Sequence, residues 1–588
     1  MDRSAEGEPQ LRLGPRAVER PTDHGTTLVA GLDGRAPARV DGGGLVSAAG
    51  ASWSLDWWVG ADDRWHLPAR EPSVRQARIG FGPIVETSVR VPSGDVVHTT
   101  YPVQVDGRTA TVIEVRNDSP VPVALAMAVR PYGPEGEGVA GSAGITLSID
   151  DTVVMVDDQP AVILPRPPNQ AGALTDGDLL TTVEAGQPLT WDQSVSGPTA
   201  NAICLYPLPH QTSLRFVIPE WNVDPASPVS PSGIRPSGLA DPATAARGWT
   251  AVVERAARFE FPDPGLTALA GAARARLVIE AANLPSAVLA TAPGAGVALA
   301  GLAAGGHRIE CNWSLDALAQ GFPTALGGAG RDGAEVVVGV AAAATLVHDA
   351  TLTDRALEGA VQLTRLVERA VDPEATGLAR RGLAQLVALT GQFAEAARLS
   401  AEDADDGAPW QIDALDGLEG LGPAPAPTGR FGVDDDPVAA ARYWLAAHSL
   451  LLRHVPVGLG DDRGDHPPGD DEGGDRPRRR WRGRRDGPVA APPLVVDVLP
   501  VFPTAWRGGT VEVHEAPVDR LRVSFAVRWH GFRPALLWDL GDTGGQPVRL
   551  RCPGLDPEWS TDEPKGETLL TGSAEELPAA PAPGDSFS

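Results

Sequence analysis

Only one long region of this chain, residues 262–454, has apolar side chains recurring at helical spacing, and that region limits what the rest can be. Leu266, Leu269, Ala270, Ala273 and Leu277 fall on one face of a helix, and Leu357, Ala360, Val361, Val367 and Val371 repeat the pattern. A third stripe runs through Leu383, Leu386 and Val387. It is predicted to stop at Gly391, where a residue without Cβ can turn left-handed. Asp436-Pro437 opens a fourth helix, a side-chain acceptor for free N–H groups ahead of the residue suited to the first helical position. Val438, Ala441, Leu445, His448 and Leu452 share its face. A helix with one apolar stripe must bury it against a neighbour, so the centre is predicted to be an array of packed helical hairpins.

On either side the apolar period falls from 3.6 to two. Thr109, Thr111, Ile113 and Val115 alternate, as do Val123, Leu125, Met127 and Val129, and Asn117-Asp118-Ser119-Pro120 between them is turn chemistry, which predicts a hairpin. Leu214, Phe216 and Ile218 form another alternating run. Short strands between Gly/Pro-rich turns indicate a large antiparallel sandwich, with loops near 131–144 and 224–242. Strands resume at Leu494-Val495-Val496 and continue through Val523, Phe525, Val527 and Trp529 to Ala535-Leu536-Leu537-Trp538.

A chain of 588 residues is too long for one core. The expected class is multidomain α+β. A disordered tail (1–10) leads to a β-sandwich (11–261), then the α/α-hairpin region (262–456), a disordered charged linker (457–493), a small C-terminal β-domain (494–572) and a disordered tail (573–588). Within the linker, residues 461–475 are acidic with glycine and proline, and residues 476–485 are a burst of arginine around Trp481. Such a segment buries too little apolar surface to offset its ordering entropy. A solvated linker is the preferred reading over a nucleic-acid arm.

The net charge of -27 and pI near 4.8 argue against a nucleic-acid partner, because phosphate binding needs a basic surface. Lys565 is the single lysine, so the arginines reflect a GC-rich coding bias and not recognition. Cys204, Cys311 and Cys552 stand apart with no CxxC pair, which argues against a structural zinc site and a disulfide framework. The longest uncharged stretch, 284–306, approaches membrane-span length, but its small residues suit a buried helix or loop. Met1 is followed by no apolar run, so a cytoplasmic protein with no membrane partner is expected. No cofactor or metal is called for by any motif, and the sequence carries no signal for an oligomeric state.

Phosphate-binding, zinc-helix and nucleophile-elbow motifs are missing. Gly294-Ala295-Gly296 and Gly327-Gly328-Ala329-Gly330 lack the dinucleotide setting, and turns or close packing explain both. Fifteen tryptophans against four tyrosines say more. Trp53, Trp57, Trp58 and Trp65 cluster with Asp56, Asp62, Asp63, Arg64 and His66. Indoles stack on sugar rings and are equally ordinary core residues, so Trp58 is a candidate ligand contact with packing as the alternative. Trp313 lies between Glu310 and Asp316, Trp410 precedes Asp413 by three positions, and Asp332 follows a glycine turn. Glycoside hydrolysis needs two carboxylates, one acid and one base or nucleophile. Glu310, Asp316, Asp332 and Asp413 are therefore the catalytic candidates, with Trp313 and Trp410 as sugar platforms. Helix caps or surface charges are the alternative for each acid.

The order sandwich, helical array, small β-domain resembles the glucoamylase-like six-hairpin glycosidases. Residues 52–66, the strand Val85-Glu86-Thr87-Ser88-Val89-Arg90-Val91 and the Asn117-Asp118-Ser119 turn are similar to that clan's N-terminal β-supersandwich. Val511-Glu512-Val513-His514 and the later Phe525-Ala526-Val527-Arg528-Trp529 resemble the C-terminal ends of actinobacterial proteins of this layout. Trp313-Ser314-Leu315-Asp316 loosely resembles the family's Trp-x-Arg-Asp substrate-binding stretch, with leucine in place of arginine. The resemblance implies a shortened, toroid-like helical domain that acts on or binds an α-linked glucan or oligosaccharide, with inversion if it hydrolyses. The alternative it leaves open is a non-catalytic carbohydrate-binding or scaffold protein that keeps the layout without the acid pair. A weaker reading takes Leu386 and Phe393-Ala394-Glu395-Ala396-Ala397 as a helical-repeat hairpin, but one unit has no neighbours to bury its faces.

The linker reading has a direct test. Limited trypsin digestion of the full chain should cut first among Arg478, Arg479, Arg480, Arg482, Arg484 and Arg485. Early cleavage in the sandwich, with this run protected, would contradict it.

Overall fold

The computed structural model describes residues 26–35, 37–80, 82–131, 145–150, 152–174, 179–186, 189, 195–197, 200–219, 234–327, 330–390, 437–455 and 494–571. The linker, both tails, Gly391, Asp436 and the segment with Trp410 and Asp413 lie outside them. Among the described residues two antiparallel sheets build the N-terminal half. One has eight strands, running from Thr27–Val29 at an edge through Ser54–Gly60, Val123–Arg130 and Asn201–Leu208 to Gln170–Leu174. The other has nine, with Ser213–Ile218 at its centre and Arg108–Asn117, Gly94–Val105 and Val85–Val91 following in order toward one edge. Trp53, Trp57, Leu125, Met127, Val89, Ile113, Tyr206 and Phe216 fill the space between the sheets.

The expected hairpin at Asn117 is not a hairpin. Arg108–Asn117 pairs with Gly94–Val105 and Ser213–Ile218 in the nine-stranded sheet, whereas Val123–Arg130 pairs with Ser54–Gly60 and Asn201–Leu208 in the other. The chain crosses from one sheet to the other, and the two strands stack instead of pairing. Both are buried along most of their length, so each needs apolar cover on its faces as well as partners at its edges. Asn117 holds the crossing. Its Nδ2 donates to the Val121 and Leu208 carbonyls, and its Oδ1 accepts from the Ser119 N–H.

A short helix α1 (Leu179–Glu184) covers the outer face of the eight-stranded sheet against Trp58, Ala126 and Ile203. Helix α2 (Pro242–Val253) and helix α3 (Pro264–Glu280) cover the nine-stranded sheet. Trp249 of α2 and Val278 and Ile279 of α3 meet Tyr101, Val112 and Val217 there. The helical half continues through α4 (Leu284–Leu289), α5 (Ala295–Gly305), α6 (Arg308–Gln320), α7 (Gly330–Val347), α8 (Ala350–Arg369), α9 (Pro373–Leu389) and α10 (Pro437–Leu451). Helices α2, α3 and α9 each start at an Asp-Pro pair, the aspartate accepting from a backbone N–H two or three residues on. Among the described residues no helix is long and apolar enough to cross a membrane.

Helix α7 is buried on every side from Gly333 to Val347 apart from Ala342. Its neighbours approach to backbone contact. A Cβ on Gly296 of α5 would sit 2.0 Å from the Glu335 carbonyl carbon, and one on Gly339 would sit 2.4 Å from the Gly296 oxygen. On the α9 side a Cβ on Gly382 would lie 2.9 Å from the Val338 nitrogen.

The C-terminal strands close over these helices. A five-stranded sheet contains Arg258–Glu260, Val511–Val518, Leu521–His530, Arg533–Asp539 and Lys565–Leu569. A four-stranded sheet joins Leu452–Val455 to Leu494–Val498, Val548–Cys552 and Asp556–Thr561, with one parallel pair, Leu494–Val498 beside Val548–Cys552. Each sheet thus takes one strand from the chain flanking the helices. One apolar cluster runs unbroken from Ala273 and Leu277 through Val337, Leu451 and Val513 to Leu536 and Leu570. Phe259 and Trp444 lie parallel at 4.3 Å in this shared core, and Arg274 sits 5.8 Å from the centre of the Trp444 ring.

A methyl group at the α5–α7 crossing has nowhere to go but into backbone. Gly296→Ala should destabilise the protein by about 1–3 kcal/mol or more and lower the thermal midpoint. Gly248→Ala on exposed α2, where nothing lies within 4 Å, should be neutral or stabilising by a few tenths to about 1 kcal/mol. Parallel thermal melts of the two variants check both signs.

Candidate functional site

Helix α6 begins where α5 ends. Gly306, at φ 80°, closes α5 in the left-handed conformation, and α6 starts at Arg308 with His307 just outside it. Its inward side carries Glu310, Cys311, Ser314, Leu315 and Leu318. The outward side carries Ile309 and Trp313, one turn apart and 50% and 41% exposed, which are large values for such side chains. Beside them the Asn312 Nδ2 donates to Asp316 Oδ2 at 2.8 Å. An indole, a branched aliphatic chain and a bonded amide–carboxylate pair therefore share one half-open face.

Glu310 points the other way and is buried. Arg255 Nη2 lies 3.5 Å from its Oε1, and His307 Nδ1 lies 3.9 Å from its Oε2. Burial pushes the His307 imidazole down to about 3, and the nearby Arg274, Arg255 and Arg522 add to the effect. His307 is thus neutral at physiological pH, and Arg255 is the cation that faces Glu310. Arg274, also buried, donates from Nη1 to the Ala257 carbonyl; burial, helped by the Arg258 charge, pushes its guanidinium down to about 10. Burial raises the Cys311 thiol, with the Glu310 charge reinforcing it, so Cys311 is held unreactive. Sequence reasoning missed this arginine–histidine setting, because its members lie on four segments between residues 255 and 522.

The other candidates scatter. Asp332 stands in the first turn of α7, where a carboxylate meets the positive end of a helix. Arg308 at the start of α6 donates to the Val347 carbonyl at the end of α7, so the two helices run antiparallel. Asp332 is then roughly 20 Å along α7 from the Glu310 end. Glu310 and Asp316 are six positions apart on one helix, which turns them about 120° from each other. Trp58 corrects an expectation. It is 1% exposed, its Nε1 donates to Asp56 Oδ2 at 3.2 Å, and Arg130 lies over its ring, so no face is open to a ligand. Trp410 and Asp413 lie outside the described residues.

No protein-family model matches the chain, and no curated protein matches it. Among solved structures it is similar to a bacterial glucoamylase complexed with acarbose, at 10% identity and a TM-score of 0.43, over 68% of this chain and 69% of that one.

The buried histidines set a pH dependence. His98, stacked on Trp57, is pushed down to about 3 by burial against a raising backbone hydrogen bond, as His307 is by burial and its arginines. The unfolded chain takes up these protons near 6.5 and the folded chain only near 3. Their stabilisation is therefore complete above about pH 6.5 and falls as pH drops toward 3, by on the order of 1.4 kcal/mol per pH unit for each histidine. Urea midpoints between pH 7 and 4.5 should show that His98→Gln, which cannot protonate, removes one such increment from the slope.

Proposed function

We propose that this protein binds an α-linked glucan or oligosaccharide on the outward face of α6, with Trp313 as the stacking platform and Asn312 and Asp316 bonding the hydroxyls. The observation that carries this reading is the half-exposed Trp313 standing beside the Asn312–Asp316 pair. An exposed indole covers the C–H face of a sugar, and the adjacent amide and carboxylate supply directed donors and acceptors. Ile309, one turn earlier, extends the apolar surface. Among the described residues the candidate acids favour the non-catalytic alternative over hydrolysis. Hydrolysis needs two carboxylates roughly 5 to 10 Å apart on one pocket. Glu310 is occupied by Arg255, and Asp316 and Asp332 diverge from it. A reducing, cytoplasmic setting goes with this reading, since all three cysteines are free and buried.

Titration calorimetry with maltose, trehalose and short α-glucans tests it. Binding to wild type should weaken about tenfold, ~1.4 kcal/mol, in Trp313→Ala. Asp316→Asn should cost less, and no sugar should be cleaved. Release of product would restore the hydrolytic reading, and Glu310→Gln, Asp316→Asn, Asp332→Asn and Asp413→Asn would then locate its acids. Sugar binding indifferent to Trp313→Ala, or absent altogether, would remove α6 as the site.

A further inference from the structure

The five-stranded sheet carries a cluster that the sugar-binding face does not use. Glu260 and Glu512 stand directly opposite each other across the antiparallel pair of Arg258–Glu260 with Val511–Val518. Like charges in that position destabilise a sheet. His514 lies two residues on, on the same face of its strand, where the register shifts between Val513 and Ala516. One ligand atom from each of Glu260, Glu512 and His514 falls within 4.8 Å of the other two. The His514 Nε2 is turned inward and has no hydrogen-bond partner, although Glu512 Oε2 is only 3.3 Å away. The two atoms are close without the alignment a hydrogen bond needs.

We propose that Glu260, Glu512 and His514 form a binding site for a divalent transition-metal ion, best matched by Zn2+. Tetrahedral zinc with bonds of about 2.0–2.1 Å holds its ligands about 3.3–3.4 Å apart, the spacing of His514 Nε2 and Glu512 Oε2. One imidazole and two carboxylates suit zinc or its neighbours, whereas calcium and magnesium take oxygen ligands alone. Three protein ligands at a half-open surface leave the fourth position to water. Arg528 Nη2 lies 3.3 Å from Glu512 Oε1, and Arg258 Nε lies 3.1 Å from Glu260 Oε1. On Glu512 the arginine thus holds the oxygen that does not face His514, and so orients the carboxylate. The ion would tie the strand entering the helices to one from the C-terminal sheet.

The test uses the full chain and zinc alone, titrated in competition with a chromophoric chelator. One zinc should bind per chain, and the bound metal should raise the thermal midpoint. His514→Ala and Glu260→Gln should each weaken binding at least tenfold, their metal-free melts showing that they fold. Cobalt in place of zinc should give the visible bands of a tetrahedral site, absent from both variants. Arg528→Gln keeps all three ligands and loses only the bond that orients Glu512, so it should bind more weakly than wild type and more tightly than either ligand variant. Zinc binding that survives in His514→Ala, binding lost equally in Arg528→Gln, or no saturable binding to wild type would each overturn the proposal.

Discussion

The helical half depends on how closely backbone can approach backbone around α7. A helix buried on all sides has no solvent face to absorb errors of packing, so its neighbours must fit it at fixed distances. At Gly296 and Gly339 that distance leaves no room for a side chain, and Gly382 sets a similar limit on the α9 side. The small residues of 284–306 serve this purpose. Helix α5 is buried at every position but Ala304, and its alanines and glycines let α3, α7 and α10 all reach it. The positions of the flanking helices follow, including α6, which starts one turn-forming glycine after α5.

From that placement come the two faces of α6. Inward, Glu310 meets a guanidinium and a neutral imidazole in a setting where unpaired charge is costly. Outward, Trp313 and Ile309 are left about half exposed by the described residues. An acid anchored to the core and an indole left open are different uses of neighbouring positions on one helix. The first favours a fixed α6, and the second gives that helix a surface to offer.

Periodicity made the helices legible. The stripe from Leu266 to Leu277 marks α3, while the Asp263 and Asp349 caps, which set where α3 and α8 begin, show only in the structure. The Gly294-Ala295-Gly296 run was readable as turn and close packing, and it is both. Two things were not readable. Whether adjacent strands pair or stack depends on which other strands compete for their edges, so the Asn117 turn gave the wrong answer. Whether a tryptophan is core or platform depends on what lies over it. Trp58 has a helix and an arginine against it, whereas Trp313 has solvent. The Arg255–Arg274–His307–Arg522 setting has no local pattern at all, since its members meet only after the C-terminal sheet has closed.

That closure has a consequence in time. The strands from Leu494 onward complete the core that α3, α7 and α10 begin, yet they are made more than a hundred residues after most of those helices. At about 5–20 residues per second the ribosome needs on the order of ten seconds to pass from the end of α10 to the last strand of the five-stranded sheet. For that interval the nascent helices hold an apolar face, including Leu451, whose partners in the shared core from Leu494 onward are not yet made. The helical half thus exposes apolar surface of the kind chaperones bind during its own synthesis, while the strands of the sandwich are complete in sequence before Pro262.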